Sequence, residues 1–161
     1  MSSTLELVAM TEAQYAAWLA ASTPAYAAAH VADGKWSADE ALARARAEIE
    51  SLLPSGLATP GHRFDCLMRG DECVGQLWVA EVEEGGRRGL YIYDLEVAPS
   101  ARRQGVARDA LRRVEARARA AGLAFVGLHV FGSNAGARSL YLSEGFVETN
   151  VRMRKSLEPL E

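Results

Sequence analysis

The sequence predicts an α/β fold: one domain over residues 1–161 with a single mixed, mostly antiparallel sheet flanked by helices. Three observations lead there. Segments with apolar residues at helical spacing alternate with short runs rich in Val, Ile, Leu and aromatic residues. Three of those runs follow one another with only tight turns between them, so they pair as antiparallel hairpins. The strongest run, Gly89–Val97, is separated from Phe125–Val130 by a helix, so these two lie parallel through a right-handed crossover.

The elements follow in order. Leu5–Met10 is a short apolar run that reads as a strand. Thr11 with Gln14 three residues on is a capping box, and the alanine-rich stretch Glu12–Ala29 behind it favours helix. Pro24 lies inside that stretch, and its missing N–H predicts a break or kink. Ser37 with Glu40 is a second capping box, followed by Leu42, Ala45, Ile49, Leu52 and Leu53 on one helical face until Pro54-Ser55-Gly56 ends it. Arg63–Arg69, Cys73–Glu83 and Gly89–Val97 are strands joined at Gly70-Asp71 and at Glu84-Gly85-Gly86. After the polar loop 98–105, Val106–Ala121 carries Ala107, Ala110, Leu111, Val114, Ala118 and Ala121 as one apolar stripe, capped by Gly122. Phe125–Val130 is a strand, Asn134–Glu144 a short helix closed by Gly145, and Phe146–Lys155 a last strand.

Composition narrows the function classes. At 161 residues, with 49 % hydrophobic and 24 % charged residues, the chain suits one soluble globular domain. A net charge of −3 disfavours a general nucleic-acid binder. Cys66 and Cys73 form no zinc pattern and read as reduced, mostly buried thiols. No metal is expected. No Lys or Arg precedes Lys35, so a leader lacks its positive segment, and no apolar run is long enough for a membrane span. A cytoplasmic protein that binds neither nucleic acid nor membrane is expected. The average charge hides a local excess: residues 98–122 carry seven Arg against Asp109 and Glu115. Arg suits anionic ligands, because its planar fork of donors matches phosphate.

That basic element contains Arg102-Arg103-Gln104-Gly105-Val106-Ala107, between the strongest strand and the start of a helix. Unpaired N–H groups and the positive end of the dipole make a helix start attractive to anions, and small residues let an anion approach the backbone. By itself the segment is open between a pyrophosphate site and an Arg-rich turn capped by Gly. It is not a P-loop, since no Gly-Lys-Ser/Thr follows, and it lacks the spaced glycines of a dinucleotide fingerprint. Downstream, Asn134-x-x-Ala137-x-x-Leu140-Tyr141-x-x-x-Gly145-Phe146 places a helix cap and, two turns along the same face, a tyrosine.

The two motifs, in this order and at this distance, resemble the two signatures of the GNAT superfamily of N-acetyltransferases over about residues 77–157. The resemblance implies the acyl-coenzyme A N-acyltransferase fold, whose parallel strands Gly89–Val97 and Phe125–Val130 splay apart at their C-terminal ends. It implies acetyl-coenzyme A as co-substrate, with its pyrophosphate on the N–H groups of Gln104, Gly105, Val106 and Ala107 beside Arg102 and Arg103. The backbone of Leu95 and Val97 would pair with the pantetheine arm. Asn134 and Ala137 would lie along that arm, and Tyr141 would protonate the departing thiolate. The N-terminal helices, residues 11–53, would shape the acceptor site.

An amine attacks only when neutral, so a base must take its proton. The superfamily has no single base position, and three candidates remain open here, Glu96 and His129 ahead of Asp94, which is more often a structural acid. Asp94 and Glu96 lie on the strand before the phosphate loop, where a bulge is expected. His129 stands where some relatives that acetylate protein N-termini carry a glutamate. Tyr15, Trp18, Tyr26, His30, Trp36, Trp78 and Tyr93 are possible lining residues of the acceptor pocket, Trp36 the most suggestive. The expected activity is acetyl transfer to a primary amine, on a small molecule or a peptide, by direct attack in a ternary complex. The alternatives are a non-catalytic coenzyme A-binding sensor and an O-acyl or longer-acyl transferase. A monomer and a homodimer are both compatible.

Overall fold

The computed structural model describes residues 4–159. The elements run β1 (Leu5–Ala9), α1 (Glu12–Ala32), α2 (Ala38–Leu52), β2 (His62–Arg69), β3 (Glu72–Glu84), β4 (Arg87–Val97), α3 (Val106–Ala120), β5 (Val126–Leu128) and α4 (Ala135–Ser143). The five strands form one sheet in sequence order, antiparallel from β1 to β4, with β4 and β5 parallel. The mixed sheet and its parallel pair are thus as the sequence predicts. The β3–β4 hairpin turns on Gly85 (φ 56°) and Gly86 (φ 73°), a pair of left-handed positions that two glycines meet without strain.

Alternation along the strands assigns each face to different helices. Leu67, Leu77, Val79, Leu90 and Ile92 pack against Val106, Ala110, Leu111, Val114 and Ala118 of α3. The opposite face presents Phe64, Cys66 and Trp78 to Tyr15 and Trp18 of α1 and Ile49 of α2. The sheet is therefore the middle of three layers, with both faces buried.

Several local expectations are corrected. Helix α1 passes through Pro24 without interruption. The helix is long and anchored on both sides of the proline by Trp18 and by Ala27 and His30, so tertiary packing outweighs one lost hydrogen bond. Ser37 is the N-cap of α2, but its hydroxyl makes no capping bond, whereas Thr11 and Gln14 form the full box on α1. The buried face of α2 is Ala41, Ala45 and Ile49, and Leu42 and Leu52 are exposed. On α3 the stripe starts at Val106, and Ala121 is exposed. Cys66 is buried, but Cys73 is exposed.

The largest correction concerns 146–155, which forms no strand. A strand needs a partner ladder, and this segment has none. Side chains tie it down instead. Glu148 pairs with Arg138, and Arg154 donates to the carbonyls of Gly34 (2.9 Å) and Asp33 (3.1 Å). Val147 and Met153 are left 78 % and 89 % exposed.

Candidate active site

The ladder between β4 and β5 covers only Leu90↔Val126, Tyr91↔Gly127 and Ile92↔Leu128. Immediately beyond it β4 bulges. Ile92 pairs with Val79 of β3 and Asp94 with Trp78, which leaves Tyr93 as the extra residue. From there to Val97 the β5-facing edge of β4 carries no ladder. The gap holds a cavity of about 150 Å³, lined among others by Asp94, Leu95, His129, Phe131, Asn134 and Tyr141. The wider cleft beside it, about 1660 Å³, lies between α1, the β4 and β5 ends and residues 145–154, and shares Tyr93, Asp94, His129, Phe131 and Tyr141 with that cavity.

The three candidate bases have different surroundings. Asp94 is half-buried and accepts a hydrogen bond from the Trp18 indole Nε1 at 2.8 Å and from Gln76 Nε2 at 3.5 Å. Burial, and to a lesser degree the neighbouring Glu96 charge, push its carboxyl above the ordinary carboxylate value, against the two hydrogen bonds that lower it. Glu96 lies on the same side, as its parity with Asp94 predicts, and accepts from Gln76 Nε2 at 3.2 Å, but it is exposed. His129 is exposed on the rim, edge-to-face with Phe131 at 5.0 Å. Tyr141 comes from α4, facing Asp94 across the cavity. Burial first, then the Asp94 charge, raise its phenol above the ordinary value and keep it protonated.

Two ends of α4 fix that tyrosine. Asn134 is the N-cap, and its Oδ1 accepts from the Ala137 N–H at 3.3 Å. At the other end Glu144 is clamped by Arg108 and by Arg112 (3.1 Å), both from α3. The Phe146 N–H returns to the Tyr141 carbonyl at 3.0 Å.

The phosphate-type loop leaves β4 through a 3₁₀ turn, Pro99–Ala101, and enters α3 at Gly105. Gly105 is the N-cap with φ 79°, and a Cβ there would meet nothing within 4 Å. No side chain caps the helix, so the N–H groups of Val106 and Ala107 have no intrahelical partner. Gln104 donates to the Ser100 carbonyl at 3.0 Å. Arg103 adopts φ 62°. Arg102 and Arg103 are both exposed, and Arg102 Nε donates to the Val97 carbonyl at 3.1 Å.

Of the aromatic candidates, Trp18, Tyr26, His30, Trp78 and Tyr93 line the cleft. Tyr15 sits in the core, and Trp36 is buried behind His30 rather than on the cleft wall. Two neighbours of the site escaped the sequence. Arg69 at the end of β2 donates to Gln104 Oε1 at 2.9 Å, and Gln76 bridges the two acids from β3. Neither lies in a motif, because only the strand register brings them to the loop and to β4. Among the described residues no group of three or more His, Cys, Asp or Glu could hold a metal ion, and no helix is long and apolar enough to cross a membrane.

Known proteins resemble this chain in sequence and in fold. A family model described as the acetyltransferase (GNAT) family matches residues 16–146. YycN of Bacillus subtilis (strain 168), described as an uncharacterized N-acetyltransferase, is 34 % identical over 155 residues, covering 96 % of this chain and 99 % of YycN. YdgE of the same organism, described in the same words, is 32 % identical over 149 residues, covering 92 % and 95 %. The crystal structure of YycN superposes with a TM-score of 0.91 over 97 % of this chain and 100 % of that one. The chain therefore belongs to the GNAT family of acetyltransferases, a family that uses acetyl-coenzyme A as co-substrate.

Proposed function

We propose that the protein transfers the acetyl group of acetyl-coenzyme A to a primary amine by direct attack within a ternary complex. The observation that carries this reading is the pairing of Asp94 and Tyr141, a half-buried acid and a protonated phenol, across one cavity at the open edge of β4. The pantetheine arm adds along that edge at Leu95 and Val97, between β4 and β5 and beside Asn134 and Ala137. Its pyrophosphate meets the N–H groups of Gln104, Gly105, Val106 and Ala107 at the positive end of α3, with Arg102 and Arg103 adding charge.

Asp94 is the base in this reading. It lies inside the cavity, and its raised pKa brings it closer to neutrality, where a base transfers protons most effectively. Glu96 and His129 sit on the exposed rim, where they guide the cationic amine or relay its proton through water. The acceptor nitrogen attacks the thioester carbonyl carbon. The C–N bond forms, a backbone N–H at the open β4 edge stabilises the oxyanion, and the C–S bond breaks. The amine proton passes to Asp94, and the Tyr141 hydroxyl gives its proton to the departing sulfur.

Tyr141→Phe tests the assignment. It removes the proton donor but keeps the ring against Phe146, so kcat falls about 100-fold while coenzyme A affinity by calorimetry is unchanged. An unaltered kcat would remove Tyr141 from the mechanism. Coenzyme A binding without acetylation of any amine or peptide would instead favour a non-catalytic sensor.

A further inference from the structure

The loop that leads from β4 into α3 is irregular backbone with two left-handed residues, Arg103 (φ 62°) and Gly105 (φ 79°). Glycine meets that conformation freely, but an arginine there costs about 1–2 kcal/mol. Contacts outside the backbone must therefore favour this shape. Gln104, between the two, makes them. Its Nε2 donates to the Ser100 carbonyl at 3.0 Å, which ties the end of the loop to its start. Its Oε1 accepts from Arg69 Nη1 at 2.9 Å, which ties the loop to β2. An amide held at both ends keeps one orientation.

Arg69 lies outside both sequence motifs. It is the last residue of β2, in register with Leu5 of β1 and Glu72 of β3. It has the parity of Leu67, which packs on the α3 side of the sheet. The residue is half-buried, and its Nε is sealed from solvent without a hydrogen-bond partner. Among the described residues its guanidinium pairs with no carboxylate. An unmet buried donor costs about 1–3 kcal/mol, and a partly desolvated cation without a counter-charge adds to that. Arg69 is thus a poor contributor to the fold, and its one polar contact is with the loop.

We propose that Arg69 is a positioning residue for coenzyme A: acting through Gln104, it holds loop 98–105 in the shape that aims the N–H groups at the start of α3 toward the pyrophosphate. A loop ordered before the ligand arrives binds more tightly, because its conformational entropy is already lost on folding. The proposal rests on the cofactor placement in the reading above, to which it adds a residue.

The test uses two variants and their combination. Arg69→Met keeps the packed stem and removes the guanidinium. Gln104→Ala removes the exposed amide and keeps the backbone N–H. Calorimetry with coenzyme A is expected to show binding about tenfold weaker in each, and still only about tenfold weaker in the double variant, because both cut one chain of contacts. Urea unfolding of Arg69→Met is expected to show equal or higher stability, since the orphan Nε and the unpaired charge are gone. With any amine that is acetylated, KM for acetyl-coenzyme A rises while kcat is kept. Unchanged affinity in either single variant overturns the proposal. So do additive losses in the double variant, which would leave Arg69 acting by its charge alone. A loss of stability in Arg69→Met, failure to fold included, makes the residue structural and overturns it too, as does a fall in kcat with KM unchanged. A wild-type chain that binds no coenzyme A would overturn the cofactor placement itself, whereas binding without acetylation of any amine would overturn the transferase reading alone.

Discussion

Asp94 carries the sharpest consequence at the scale of single residues. Among the described residues its carboxyl is paired with two neutral donors and no cation, so ionising it in the fold is harder than in the unfolded chain. A raised folded pKa means that the native state binds the proton more tightly, so the ionised form weakens the fold at neutral pH. Asp94→Asn keeps an acceptor for Trp18 and removes the charge. We expect kcat to fall about 100-fold at pH 7 while resistance to urea stays equal or rises. The pH profile supplies the sign: wild-type kcat drops as pH falls through the raised Asp94 value, and that limb vanishes in Asp94→Asn but survives in Glu96→Gln. Retention of the limb in Asp94→Asn would move the base to Glu96 or His129. The sequence named all three groups but put Glu96 and His129 ahead of Asp94, because it does not show Trp18, 76 residues away, closing over Asp94.

At the scale of elements, α3 is held to the sheet by more than its apolar stripe. Asp65 on β2 is fully buried and accepts from Arg63 Nε at 3.0 Å and from Arg117 Nη1 of α3 at 2.8 Å. Removing one partner of a buried pair leaves a charge uncompensated. Arg63 remains in Arg117→Met, so we expect a loss of about 2 kcal/mol rather than the full penalty, read from urea unfolding. A change below about 0.5 kcal/mol would show that Arg63 alone suffices, the usual result for exposed pairs. The helices themselves were legible, since their stripes and the Thr11–Gln14 box depend on residues within a few positions. The continuity of α1 through Pro24 was not, because the packing that holds it comes from other elements. The segment 146–155 has the composition of a strand but no ladder, and its alternating pattern carries no information about whether a partner edge is available.

Across the whole molecule, charge is unevenly distributed in a way the total conceals. The net charge is −3, yet the loop and helix 98–122 hold seven arginines. Part of that positive charge is committed elsewhere: Arg108 and Arg112 to Glu144, Arg117 to Asp65 and Arg119 to Glu115. Among the described residues, Arg102 and Arg103 at the loop are exposed and pair with no carboxylate. Reversing either charge should weaken coenzyme A binding about tenfold and flatten its dependence on salt, since exposed charges act through a screened field. Calorimetry at low and high salt checks this, and unchanged affinity in both variants would remove the loop arginines from the cofactor site.

The sequence by itself determined the class of fold, the order of nearly all its elements, the two motifs and through them the family. Those properties rest on periodicity, turn chemistry and short spacings, all of which are local. Only the tertiary structure decided which acid enters the cavity, that Arg69 reaches the loop, that Trp36 backs His30 instead of facing the cleft, and where β4 and β5 part. Each of those depends on strand register or on helix docking across tens of residues, and a bulge of one residue at Tyr93 is enough to re-aim every side chain beyond it.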